Sequence, residues 1–335
     1  MSAGPRVTVA GAGALGLASA LALADAGCRV TVCDPEPAGA NASGVAAGML
    51  APVFEALLDP QALAHFGLLM AARDLWPALA RRAGVDLDRS GALAIGAEAW
   101  LARTQAGARR LGVRLTERAP QDLAPGVSQA FRRALLTRED WRLEAPAALA
   151  QLRHAAHAAG VAFRTEPVTG RGDADLLVIA TGAGTAAATN LTDTAPELAS
   201  LSPIKGHILT LPDAPTPQVT IRGEGVYLTP GEGGLMVGAT MEHGAADPTV
   251  DAGRAAPLLA AAARLFPALA NAAFTTAAGV RAATPDGLPL VGWSTQPGVL
   301  LAVGARRNGW LLAPLVARIV AAHVSGADAG AYAAR

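Results

Sequence analysis

Two cysteines in 335 residues, aromatic residues at 4% and no surplus of charge of either sign are what this sequence most lacks. Cys28 and Cys33 flank one short apolar segment at a spacing that turns their side chains to opposite faces of a strand, which excludes a disulfide between them. The fold must therefore rest on its core, which a chain of this length can build, and the thiol usage fits a reducing cytoplasm. Lys plus Arg and Asp plus Glu both number 27, so no net field draws nucleic acid or an anionic membrane. The pairs Arg81-Arg82, Arg109-Arg110 and Arg132-Arg133 read as solvated faces. No uninterrupted apolar stretch reaches spanning length. The run from Val7 to Ala26 lacks the basic segment of a signal peptide beyond Arg6, and its glycines suit a turn better. No internal repeat stands out. His154 and His157 have no Cys or acidic neighbour to complete a metal site and read as exposed. The sequons at Asn41 and Asn190 carry meaning only on secretion.

What is present begins at once. Val7–Ala10 reads as a strand, Gly11-Ala12-Gly13-Ala14-Leu15-Gly16 as a tight turn, Leu17–Ala26 as an apolar helix and Arg29–Cys33 as a second strand ending in Asp34. Gly11 lets the backbone turn sharply, Gly13 lets a pyrophosphate approach with no Cβ in the way, and Gly16 lets the helix lie close on the strand. The helix start offers unpaired N–H groups and a positive dipole end. Asp34 stands 23 residues after Gly11, where a carboxylate accepts from an adenosine ribose. The unit is a dinucleotide site.

Pro35–Pro52 is rich in small residues, as backbone lying against a flat ligand would be. Helices are expected over 60–83, ending at Gly84, and over 98–111 and 146–159, with extended segments at 92–95 and 161–164. The purely apolar Leu176–Ile179 belongs to a strand covered on both faces, as in a parallel sheet, and runs into Ala180-Thr181-Gly182-Ala183-Gly184. From 203 to 240 the character changes to an antiparallel sheet, with strands at 204–211, 226–229 and 235–239 and a hairpin loop over Pro230–Gly234. A helix over 252–265, strands over 274–282 and 299–303 and a helix over 310–323 complete the chain. The expected architecture is α/β: a discontinuous Rossmann-like nucleotide-binding domain (1–84, 142–198, 276–335) with an inserted antiparallel-sheet substrate domain (85–141, 199–275). A cleft between them would hold a small molecule.

The motifs Ala46-Ala47-Gly48-Met49-Leu50-Ala51-Pro52, Pro203-Ile204-Lys205-Gly206, Val237-Gly238-Ala239-Thr240-Met241, Gly279-Val280-Arg281 with Thr284-Pro285-Asp286-Gly287, and Arg307-Asn308-Gly309-Trp310-Leu311-Leu312-Ala313-Pro314 occur in this order. In them, and over nearly its whole length, the chain resembles the FAD-dependent D-amino-acid oxidase superfamily, and within it the glycine oxidases of bacterial thiamine biosynthesis. The resemblance implies that FAD fills the first site. Gly11, Gly13, Ala14, Leu15, Gly16 and Asp34 would hold its ADP half, with Val168 near the adenine and Ala180, Thr181 and Gly182 under the pyrophosphate. Ala46, Ala47, Gly48 and Met49 would lie along the isoalloxazine ring, closed from the other side by Gly304, Arg307, Asn308, Gly309, Trp310 and Leu311. A helix starting near Asn308 would aim its positive end at the ring edge where charge collects on reduction.

For the substrate, Arg281 is the leading candidate, because a guanidinium in the apolar context Ala277-Ala278-Gly279-Val280 requires an anionic partner and an amino-acid carboxylate supplies one with matching geometry. The resemblance adds Tyr227, on an adjacent sheet, and Met241 as catalytic and pocket residues, and Arg307 as a substrate contact; Lys205 and Arg306 receive no role. Gly225 stands where relatives often carry a polar side chain, which widens the pocket, and Ala305-Arg306 replace an aromatic-type pair, which admits a bulkier or more acidic substrate. The expected reaction is oxidative deamination: the Cα hydrogen of a small amino acid or amine leaves as hydride to flavin N5, oxygen becomes hydrogen peroxide, and the imine hydrolyses to oxo acid and ammonia or enters thiazole synthesis. Two rivals stand beside it: a D-amino-acid or secondary-amine dehydrogenase that passes electrons to a quinone or carrier, and a flavin-binding protein without turnover. Partners are thus the amine and oxygen, and a homo-oligomer is allowed.

Overall fold

The computed structural model describes residues 4–183 and 191–330; Gly184 and the sequon residue Asn190 lie outside the described residues. The strand Arg6–Ala10 pairs in parallel with Arg29–Cys33 on one side and Leu176–Ile179 on the other. Its sheet has six strands, in the order Leu290–Trp293, Val299–Val303, Leu176–Ile179, Arg6–Ala10, Arg29–Cys33, Ala162–Arg164. All neighbours are parallel except the Leu290–Trp293 edge strand, which runs antiparallel to Val299–Val303. Its central strands are apolar because both faces are covered. The helix Ala14–Asp25 is buried nearly all round, since it lies between this sheet and the C-terminal helix Gly309–Ser325. Leu17, Leu21, Trp76, Leu300 and Leu312 meet in the resulting core.

The second sheet draws strands from two stretches of chain. Its path is Glu242–His243, Ser202–Leu211, Gly234–Gly238, Val226–Gly231, Thr220–Gly223, Ala92–Ala94, Ala134–Thr137, Thr116–Arg118, with Thr275–Ala283 paired along Ser202–Leu211. Pairing is antiparallel except where Thr220–Gly223 meets Ala92–Ala94. The helix Ala255–Leu265 covers one face, and Ile221, Val226, Leu228, Leu235 and Val237 pack beneath it with Leu258 and Leu265. Strand alternation then turns Arg222, Tyr227 and Gly238 to the opposite face, toward the first unit.

Several expectations are corrected. Thr275–Ala283 pairs with the large sheet over nine positions, so the boundary placed at 276 falls inside one of its strands, and we propose moving it to just after Ala283. Tyr227 and Arg281 stand on one sheet rather than on adjacent ones. The expected helix 60–83 is two helices, Pro60–Leu63 and Phe66–Ala83; at the break the backbone of His65 turns to φ −114°, ψ 15°, and its ring contacts the Asp286 carbonyl at 3.3 Å. Gly231 pairs with Gly234, which shortens the hairpin loop to Glu232-Gly233. Residues 252–254 form a 3₁₀ turn before the helix proper. The helix Pro52–Leu58 and the strand Thr220–Gly223 are additional elements. No described helix is long and apolar enough to cross a membrane.

Candidate active site

The glycine turn is built as the spacing requires. Gly11 has φ +106°, and a Cβ there would come 2.5 Å from the Ala180 carbonyl oxygen; a Cβ on Gly16 would come 2.0 Å from the Gly11 carbonyl oxygen. A Cβ on Gly13 would press on Ser43 Oγ at 3.1 Å. The first helical amide, of Ala14, donates to Ser43 Oγ at 3.1 Å, and the Ser43 carbonyl accepts from the Trp310 indole at 3.0 Å. Ser43 thereby ties the two helix starts together. Asp34 Oδ2 accepts from the Ala12 amide at 2.7 Å and Oδ1 from the Glu36 amide at 3.0 Å, so the carboxylate fixes the turn and keeps further lone pairs for a ligand. Gly11, Asp34, Val168 and Thr181 line one narrow crevice, and Gly182 turns with φ +65°. A glycine cradle at a helix start, with the Ser43 hydroxyl on its first amide and joined to a carboxylate-lined crevice, fits the ADP half of a dinucleotide.

Between the two sheets lies a cavity of about 370 Å³. Ala46, Ala47, Gly48 and Met49 form one wall, and Arg307, Asn308 and Trp310, at the start of the C-terminal helix, form another. Gly48 has φ +69° and sits too close to the Leu143 carbonyl for any side chain, a Cβ there falling 2.0 Å away. The wall of small residues and the helix start thus line one cavity. Gly304 instead faces Leu201 and Thr284, and Leu311 packs into the core, so neither reaches the cavity wall.

The large sheet contributes Arg281, Tyr227 and Arg222, and the connection between Gly234–Gly238 and Glu242–His243 contributes Met241. Arg281 has no carboxylate within 4 Å among the described residues; its nearest polar contact is Met241 Sδ at 3.6 Å from Nη1. Room for its guanidinium comes from Gly206, where a Cβ would collide with it at 2.4 Å. Burial lowers the affinity of this group for its proton. The Tyr227 ring lies over Gly238, where a Cβ would fall 2.2 Å from the hydroxyl. Burial pushes the Tyr227 pKa up to about 12 against the pull of Arg281 and Arg222, so the phenol stays protonated and can donate.

Four charged residues that sequence reasoning missed complete the site. Glu55, on the helix Pro52–Leu58, bridges Arg222 (3.2 Å) and Arg307, whose Nε and Nη2 stand 2.7 and 2.6 Å from Oε2. Burial pushes the Glu55 carboxyl up, but Arg307 and Arg222 more than reverse this, and it sits below the usual range. Asp59 pairs with Arg306, and with Arg307 at 3.5 Å. Asp140 accepts the amides of Val53 (2.8 Å) and Phe54 (3.0 Å) and so caps the helix that carries Glu55; burial raises its pKa to about 7. Arg307 is thus engaged by two carboxylates, whereas Arg281 has none. Pro52 followed three residues later by Glu55 is a helix-start pattern that could have located the first of these groups.

The family model described as "FAD dependent oxidoreductase" matches residues 6–323. A glycine oxidase of Geobacillus kaustophilus is 31% identical over 348 residues, covering 94% of this chain and 91% of that protein. A putative thiamine biosynthesis oxidoreductase, ThiO, of Rhizobium etli is 33% identical over 332 residues, covering 94% and 95%. The crystal structure of glycine oxidase from Geobacillus kaustophilus superposes with a TM-score of 0.81 at 29% identity, covering 99% of both chains.

Proposed function

The chain belongs to the FAD-dependent oxidoreductase family, its cofactor is FAD, and from that premise we propose that it oxidises the Cα–N bond of a small amino acid or amine, glycine among them, with molecular oxygen as acceptor. The observation that carries this reading is Arg281, a guanidinium without a carboxylate partner in the wall of a cavity large enough for an amino acid. An α-carboxylate would supply the missing anion with two parallel hydrogen bonds. The similarity to a glycine oxidase across nearly the whole of both chains supports it.

When bound, FAD supplies a two-electron acceptor for the hydride leaving substrate Cα. The chain's residues then have separable tasks. Arg281 binds the carboxylate and fixes the orientation of the Cα–H bond. Tyr227, protonated at every physiological pH, donates to the same carboxylate. Met241 packs against Arg281 and shapes the wall. Ala46–Met49 and the Arg307–Trp310 segment exclude water from the faces of the site. Glu55 is held ionised by two arginines and is a poor base, so the amine arrives neutral or gives its proton to solvent. The imine that leaves either hydrolyses to an oxo acid and ammonia or is taken up intact by a further reaction. We place the reaction in the supply of an imine for thiamine thiazole synthesis, a reading supported by the name of the Rhizobium etli relative.

Oxygen uptake and peroxide formation with glycine, sarcosine and D-alanine, measured beside a dye acceptor, test this. Turnover with the dye but not with oxygen would favour a dehydrogenase; failure of every amine to bleach the flavin anaerobically would refute amine oxidation.

A further inference from the structure

The substrate reading above leaves charge in the cavity that a single carboxylate does not balance. Arg222, Arg281 and Arg307 line this cavity with one carboxylate, Glu55, which Arg222 and Arg307 share; Arg306 and Asp59, paired with each other and reaching Arg307, lie outside the lining, and Arg281 has no carboxylate. Among the described residues no further carboxylate comes within 4 Å of any of the four. Asp140 does not supply it, since its two oxygens are engaged by the Val53 and Phe54 amides and burial keeps it partly protonated at neutral pH. An α-carboxylate on Arg281 accounts for one of the two unmatched positive charges. The other stays in a wall that is largely out of water, where an unmatched charge is costly.

Of the two networked arginines that line the cavity, Arg222 and Arg307, Arg222 is the less satisfied. It makes one contact of 3.2 Å to Glu55 and one of 3.4 Å to Met49 Sδ, although a guanidinium has five N–H donors. Arg307, by contrast, chelates Glu55 with two nitrogens and also reaches Asp59. Arg222 stands directly across the strand pair from Tyr227, and Arg222, Tyr227 and Arg281 line the same cavity. The cavity is open beside Arg222: Gly223 and Gly225 line it, and a Cβ on Gly225 would meet nothing within 4 Å.

We propose that the site is built for a substrate with two anionic groups, an amino or imino dicarboxylate, whose α-carboxylate is held by Arg281 and whose second carboxylate is held by Arg222 beside Gly225. This rests on the amine-oxidation reading and deepens it from small amino acids in general to those with a second carboxylate.

The test uses the holoenzyme and unreactive anions. Acetate, malonate and succinate are titrated at constant ionic strength and followed by perturbation of the flavin absorption. A dicarboxylate should bind about tenfold or more tightly than acetate, since one further charge-assisted hydrogen-bonded pair forms. In Arg222→Met the preference should fall to about one, and Arg222→Lys, which keeps the charge but loses the fork, should restore part of it. Anaerobic bleaching is then compared between glycine or sarcosine and D-aspartate or iminodiacetate, with the same preference expected in the rate. Equal binding of acetate and the dicarboxylates by the wild-type protein, or a preference that survives in Arg222→Met, overturns the proposal. Bleaching by monocarboxylic amino acids with no dicarboxylate preference overturns it while leaving amine oxidation standing. A dicarboxylate preference in binding with no amino acid bleaching the flavin supports the second anion site and overturns amine oxidation.

Discussion

Replacing Arg281 by methionine should separate catalysis from stability, because its guanidinium is buried beside a cavity and has no carboxylate partner in the protein itself. In the substrate complex it becomes one half of a desolvated charged pair, and losing one member of such a pair costs about 3–5 kcal/mol. At about 1.4 kcal/mol per decade, kcat/KM should fall by two to four decades. In the free protein the balance runs the other way. Methionine fills a similar volume, removes an uncompensated charge and buries apolar surface, so the unfolding free energy should be unchanged or higher. Arg281→Lys keeps the charge without the bidentate fork and should fall between the two. The assays are the rate of anaerobic flavin bleaching across substrate concentration and urea unfolding of the same preparations. Retention of kcat/KM to within about tenfold, or a loss of stability exceeding about 3 kcal/mol, which would reveal a structural partner, refutes the reasoning.

Other expectations concern the surroundings of that group. Asp140 has a folded pKa of about 7 against an ordinary 3.8, so between these values the folded state binds more protons than the unfolded one and stability falls as pH rises. From pH 5 to 8 the wild type should lose about 2–3 kcal/mol that Asp140→Asn does not; an equal change in unfolding free energy between the two pH values for both proteins, measured by denaturant titration, would contradict this. Tyr227→Phe should lose about 1.5–3 kcal/mol of substrate interaction, roughly ten- to a hundredfold in kcat/KM, with no change in Tm; a smaller loss removes the hydroxyl from substrate binding. Gly16→Ala puts a Cβ 2.0 Å from a backbone oxygen, so the helix Ala14–Asp25 must shift off its strand. The variant should purify with a reduced flavin-to-protein absorbance ratio and a lowered Tm, and full flavin at the wild-type Tm would count against the packing argument.

The parts of this protein that could be read from sequence are those encoded by residues close together in the chain. Glycine at 11, 13 and 16, the apolar helix behind them and Asp34 at the end of the next strand belong to one short unit, because turn geometry and strand–helix periodicity are local properties. The unbroken apolar run Leu176–Ile179 likewise announced a doubly covered parallel strand. Among the elements that escaped are Pro52–Leu58, hidden behind a small-residue loop, and Thr220–Gly223, a four-residue strand between turns, and they carry Glu55 and Arg222.

Sequence therefore determined the α/β class, the nucleotide cradle and the candidacy of Arg281, since each rests on a pattern repeated within a few turns or strand lengths. Only the tertiary structure decided which arginine lacks a partner. Glu55 meets Arg222 across 167 residues and Arg307 across 252. Such pairings are set by how the two sheets close on one another, and Coulomb interactions, unlike backbone periodicity, depend on distance in space and leave no trace in chain order.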